Sequence, residues 1–188
     1  MRTLPLEGAK WLTIYENGCA KTYPSGAVEW ARWTAVDDIE ARSAPVPTID
    51  GGVEYEHAVC IELRDGTRIF LCGTRIGDFA EEARERVFGL QLDEHRATMA
   101  DGGVVAVRSE RGLEITAEGL RRKDRELAWA EIDEIESDRG CARFHRGGAQ
   151  VGWAAFDVKG PRGRACLQVA RELYARNRAG EGVGEGVG

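Results

Sequence analysis

The feature that most constrains this chain is a pattern that it uses twice. Trp33-Thr34-Ala35-Val36-Asp37-Asp38-Ile39-Glu40 returns as Trp129-Ala130-Glu131-Ile132-Asp133-Glu134-Ile135-Glu136, with Trp, Val or Ile, two acids, Ile and Glu in the same order. A second match precedes each copy. Leu12-Thr13-Ile14-Tyr15-Glu16-Asn17-Gly18 parallels Leu113-Glu114-Ile115-Thr116-Ala117-Glu118-Gly119 position by position. The stretch between the two matches is five residues shorter in the second half, which a shorter hairpin tip explains. Repetition of a whole supersecondary unit implies that each half builds a similar core. A length of 188 residues with 43% hydrophobic and 31% charged content allows one large or two small domains.

Within each half, strand signals come first and a helix comes last. Leu12 to Tyr15 alternates apolar and polar residues and ends in a Glu16-Asn17-Gly18 turn. Cys19 to Ser25-Gly26 and Ala27 to Trp33 read as strands, and Val36 to Ile39 continues the sheet or bridges a turn. Ser43 to Gly52, with Pro45, Pro47 and Gly51-Gly52, reads as a loop. Tyr55 to Gly73 is the clearest hairpin. Val59, Ile61 and Leu63 share a face with Ile69 and Leu71 only if the loop is the three residues Arg64-Asp65-Gly66, because a slip of one residue reverses every side chain. That register puts Gly66 in a left-handed bulge position and Glu62 across from Arg68.

Phe79, Ala83, Val87 and Leu90 recur at helical spacing after the cap candidate Asp78, which predicts a helix over about 78–99. The second half restarts with a strand over Val104–Val107, then Leu113 to Gly119, Cys141 to His145 and Gln150 to Val158. Gly160-Pro161 breaks the chain. A helix over about 164–177 follows, with Cys166, Val169, Ala170 and Leu173 inward. Residues 180–188, all Gly, Glu and Val, have too few side chains to build a core and are expected to be disordered.

Two copies of several antiparallel strands followed by one helix predict an α+β fold, mainly β. Trp33, Val36, Ile39, Trp129, Ile132 and Ile135 are expected to form its repeated core motif. Gly112 to Ile115, Gly119-Leu120, Leu127 to Ile132, Ile135 and Gly152-Trp153-Ala154-Ala155-Phe156-Asp157-Val158 resemble an uncharacterised bacterial family of tandem pleckstrin-homology-like (PH-like) domain proteins. The first half shares the Trp motif, the Leu63-Arg64-Asp65-Gly66 hairpin and the helix after it. The resemblance covers roughly residues 10–178. It implies two PH-like domains, 1–100 and 101–179, each a bent antiparallel sheet or open barrel closed by its C-terminal helix. Its motifs are structural and none is catalytic.

Chemistry is sparse. The cysteines Cys19, Cys60, Cys72, Cys141 and Cys166 are scattered and never form a C-x-x-C pair. Cys141 and His145 at the ends of one strand stand roughly 13 Å apart. No metal-ligand spacing, G-x-S-x-G elbow or G-x-x-x-x-G-K-[ST] loop occurs. The expectation is no catalytic residue, no metal and no cofactor.

Net charge is −6, and residues 1–100 carry 11 basic against 17 acidic side chains, whereas residues 101–188 carry 15 of each. An acidic first half disfavours nucleic acid. The absence of a long apolar run and of a leader pattern at the start leads to a cytoplasmic expectation. One basic stretch, Arg121-Arg122-Lys123-Asp124-Arg125, lies between two predicted strands, and guanidinium groups suit phosphate. Two functions follow, and an enzyme of unknown type comes third. The first is a non-enzymatic adaptor or scaffold that binds protein, a second copy of the chain included. The alternative is an anionic lipid or phosphate headgroup held by Arg121, Arg122, Lys123 and Arg125. An unpaired sheet edge is a third site type that needs no special residues.

Overall fold

The computed structural model describes residues 1–8, 10–108, 112–123, 125–148 and 152–181. The protein is α+β and mainly sheet, and its described residues form four antiparallel sheets, none closed among them, and two helices. Among the described residues no helix is long and apolar enough to cross a membrane. The chain divides into two compact units, Met1–Leu90 and Gln91–Gly188. The division falls inside the first helix.

In the first unit, β1 (Arg2–Leu6), β2 (Lys10–Tyr15), β3 (Gly18–Thr22) and β4 (Val28–Arg32) form a meander in sequence order. A 3-10 turn, Trp33–Ala35, leads into a second meander of β5 (Val36–Pro47), β6 (Val53–Leu63) and β7 (Arg68–Gly73). Helix α1 (Gly77–Ala100) follows. One face of each sheet turns inward. Leu12, Ile14, Ile39, Ile61 and Leu71 are buried there, and Phe79, Ala83 and Val87 of α1 close the same cluster. Leu90, expected on that inner face, is instead exposed.

The second unit repeats the order. β8 (Val105–Ala106), β9 (Leu113–Ile115), β10 (Gly119–Arg122) and β11 (Arg125–Ala128) form one sheet. A 3-10 turn, Trp129–Glu131, precedes β12 (Glu134–Asp138), β13 (Cys141–His145) and β14 (Ala154–Asp157), and α2 (Pro161–Glu181) comes last. The strand expected over Val104–Val107 is shorter, and the one expected from Gln150 starts outside the described residues. Pro161 opens α2 rather than merely ending what precedes it, since a first-turn proline lacks only an N–H that has no helical partner. Gly180 and Glu181 belong to the helix, and residues 182–188 of the expected disordered tail lie outside the described residues. The hairpin Gly18–Arg32 is five residues longer than Gly119–Ala128, which accounts for the difference in spacing.

The Trp motif is not a strand with alternating sides. Each Trp starts a 3-10 turn, and the buried positions 33, 36 and 39 are three apart. The turn carries the chain from one sheet to the next. A bulge between Val36 and Asp38 then leaves Asp37 unmatched, so both Val36 and Ile39 face inward. In the second unit Trp129 and Ile132 are buried and Ile135 is half-buried. Both turns are anchored alike. Trp33 N–H donates to Asn17 O at 3.1 Å and Trp129 N–H to Glu118 O at 3.0 Å. The next residues, Gly18 and Gly119, lie so close to the facing strand that a Cβ would collide with the carbonyl oxygen of Ala31 or Leu127. Glycine is required at both places by close approach, not by a special φ.

The β6–β7 hairpin has the three-residue loop Arg64-Asp65-Gly66, with Gly66 at φ +85° and Glu62 paired with Arg68 at 3.2 Å. Ser43 to Gly52, expected as a loop, is strand as far as Pro47 and a tip only over residues 48–52. Thr48 N–H donates to Gly52 O at 2.9 Å at the end of that ladder. Pro45 and Pro47 therefore occupy the non-hydrogen-bonded positions of the ladder, where a missing N–H costs the pairing nothing.

Candidate functional site

The basic stretch does not converge. Strand alternation places Arg121 on the outer face of its sheet and Arg122 on the other. Arg121 is held by Glu114, its neighbour on β9, at 2.7 Å. Arg122 lies over the Trp153 ring with its guanidinium carbon 5.3 Å from the centroid, and donates to Trp153 O at 3.4 Å. Lys123 occupies the turn at φ 53°, and it and Arg125 are exposed. Asp124 lies outside the described residues. Two of the four cations are thus engaged with groups of their own unit.

The cysteines and histidines are dispersed. Burial pushes the Cys19 thiol up to about 12, and burial also raises the half-buried Cys60 thiol, so both stay protonated near neutral pH. His57 Nδ1 is 2.9 Å from Ser43 Oγ, and its ring packs against the bare Cα of Gly77. His145 Nε2 is 3.3 Å from Glu136, and His95 Nε2 is 3.7 Å from the buried Cys166 Sγ. Among the described residues no three His, Cys, Asp or Glu side chains are placed to hold a metal ion.

A cleft of about 260 Å³ in the second unit is lined by Arg96, Met99, Ala117, Val169, Leu173 and Glu172 among others. Arg96 meets Glu172 there at 2.6 and 3.2 Å, and that hydrogen bond holds the Glu172 carboxyl below its ordinary range. A groove of about 300 Å³ lies on the outer face of β5–β6–β7. Its rows are Asp38–Glu62–Arg68, Glu40–Cys60–Phe70 and Arg42–Ala58–Cys72. Phe70 is exposed in the middle row. Neither cleft is lined by a histidine.

The most distinctive surface was not singled out in the sequence. On the outer face of β1–β4, Thr13, Ala20 and Trp30 form one row and Trp11, Thr22 and Val28 the next. Tyr15 flanks them, its ring centroid 5.1 Å from that of Trp30. Trp11 is 50% and Trp30 54% exposed, while Ala20 between them is buried. A small residue under large rings makes a shallow aromatic platform. The corresponding row of the second unit is Glu114–Arg121–Glu126, closed by the Glu114–Arg121 ion pair. The signal was available: Trp11 and Trp30 occupy the polar phase of strands whose apolar phase is filled by Leu12, Ile14 and Ala31.

Comparison of the chain with protein families and with curated proteins finds no match.

Proposed function

We propose that this chain is a non-enzymatic protein-binding module built from two PH-like domains, and that the aromatic platform of the first unit is where its partner sits. The twofold order of four strands, a 3-10 turn, three strands and a helix supports the PH-like reading. The observation that carries the function is the pair of exposed rings Trp11 and Trp30, flanked by the half-buried Tyr15, in a place where the second unit has an ion-paired row.

Aromatic side chains supply most of the energy at protein interfaces because they bury large, rigid area at little entropic cost. An aromatic ring exposes up to roughly 200 Å². Covering half of it at about 25 cal/mol per Å² is worth about 2.5 kcal/mol per ring. Two or three such rings offset much of the association cost of about 4–15 kcal/mol, and the contacts around them supply the rest.

The test is co-purification with light scattering on the intact chain and on Trp11→Ser/Trp30→Ser. A stoichiometric protein partner, or a discrete oligomer, is expected for the former and lost in the latter. A partner retained equally by both would place binding elsewhere.

A further inference from the structure

β6 is paired unequally on its two sides. Along β5 it is paired from Val53 to Leu63, but along β7 only from His57 to Glu62. Among the described residues, nothing pairs with Val53–Glu56 on the β7 side. Residues Ala44–Pro47 and Val53–Glu56 thus form a two-stranded arm that runs past the third strand.

Ladder parity fixes which groups face the gap. The Thr48–Gly52 bond places Val46–Glu54 and Ala44–Glu56 at hydrogen-bonded positions of the β5–β6 ladder. On the other side, Leu63 N–H donates to Thr67 O at 2.8 Å, so the odd-numbered residues of β6 turn their N–H and C=O groups toward β7. Val53 and Tyr55 continue that series beyond the end of β7. Their backbone groups therefore face outward. The far edge of the arm is different, because its outward positions are Pro45 and Pro47, which have no N–H to offer. One edge is blunted and the other is open.

The side chains say what would fit. Val53 and Tyr55 are 60% and 57% exposed and extend the inward-facing row of Val59 and Ile61 past the core. Glu54 and Glu56 alternate with them on the opposite face. No Lys or Arg occurs between Ser43 and Leu63, and Asp50 sits at the tip. Glu7 lies against Glu56; the hydrogen bond between them, and then the Glu56 charge, raise its carboxyl above the ordinary range. Pairing this edge with the same edge of a second copy would set acids against acids, which is unfavourable.

We propose that the Val53–Glu56 edge of β6 receives an extended segment of a partner protein whose residues alternate between apolar and basic. Its backbone pairs with Val53 and Tyr55, its apolar side chains continue their row, and its cations meet Glu54, Glu56 and Glu7. This rests on the protein-binding reading but uses a surface separate from the aromatic platform.

The test titrates the full chain with a synthetic peptide of about six residues alternating valine and lysine, and with its valine–glutamate counterpart. The valine–lysine peptide is expected to bind and to slow amide exchange at Val53 and Tyr55. The glutamate peptide should bind at least about tenfold more weakly. Tyr55→Pro removes an outward N–H and should abolish binding while core exchange is unchanged. If that variant disturbs the core, Glu54→Lys/Glu56→Lys takes its place and should reverse the preference between the two peptides. Failure of the valine–lysine peptide to bind, binding without protection of those two amides, or binding that ignores both variants would overturn the proposal. Self-association through this edge would overturn it too. If the peptide fails while a partner is still lost in Trp11→Ser/Trp30→Ser, only the edge is refuted.

Discussion

Across the outer face of the first sheet in the second unit runs the row Glu114–Arg121–Glu126, and the central pair is joined at 2.7 Å. In the first unit the same row is Thr13–Ala20–Trp30, with Trp11 and Tyr15 beside it. The second sheets differ in the same sense. Glu136 meets Arg143 at 3.6 Å and His145 at 3.3 Å on the outer face of β12–β13, whereas Phe70 is exposed on the outer face of β6–β7. One architecture is thus finished in two ways. Charged pairs occupy these positions in the second unit, whereas the first exposes Trp11, Trp30 and Phe70 there, with the Glu62–Arg68 pair in the row beside Phe70. Core positions cannot diverge so freely, because each must fill a fixed volume.

The units also differ inside. Trp129 Nε1 donates to Ala117 O at 3.0 Å. At the matching place of the first unit, Glu16 O accepts from Arg86 at 3.1 Å, and the buried Trp33 Nε1 has no hydrogen-bond partner among the described residues.

The largest expected effect tests whether each unit has its own core. Trp33→Ala and Trp129→Ala should each cost about 3–5 kcal/mol. Amide exchange should accelerate over β1–β7 for the first and over β8–β14 for the second. Equal acceleration in both units after either change would break the comparison. A finer test replaces each Trp by Phe. The lost volume is similar, but only Trp129→Phe removes a hydrogen bond that is made, the one to Ala117 O, whereas Trp33→Phe removes a buried N–H without a partner among the described residues, so the former should cost about 1 kcal/mol more in denaturant midpoints.

Outer-face changes come next. Glu114→Ala/Arg121→Ala should destabilise by less than about 1 kcal/mol, since the pair is partly exposed. Reversing Arg121, Arg122, Lys123 and Arg125 to Glu should change anionic vesicle binding little, as two of these cations are already engaged; a strong loss in vesicle sedimentation would restore the lipid alternative.

The smallest effect concerns acid. Glu7 has its folded pKa raised, so its ionised form opposes folding and stability falls as pH rises through that value. Glu172 has its folded pKa lowered, chiefly by the Arg96 hydrogen bond, so its contribution is present above the unfolded value and is lost as pH falls through the folded one. Glu56→Gln should bring the Glu7 titration, followed by NMR, back toward the ordinary carboxylate range and leave Glu172 unchanged.

Much of the fold was legible because it is written in spacing. The duplicated Trp motif, the hairpin loop Arg64-Asp65-Gly66 and the inward residues of β6 and β7 follow from period and turn chemistry. The 3-10 turns were not legible, because a three-residue spacing of apolar positions over so short a stretch fits several local geometries. The strand through Pro45 and Pro47 was missed because proline reads as a breaker until its pairing parity is known. The aromatic platform was missed because Trp11 and Trp30, though each stands in the polar phase of its strand, read singly as isolated exposed aromatics. It exists only once four strands bring Trp11, Tyr15 and Trp30 to one face.

The central claim is that the first unit's outer face meets protein and the second's does not. A photo-crosslinking residue placed at Trp30, and separately at the matching Glu126, tests it in the cells from which the chain comes. A discrete protein adduct from position 30 and none from position 126 is the predicted result. Adducts of equal yield from both positions, or from position 126 alone, would contradict it.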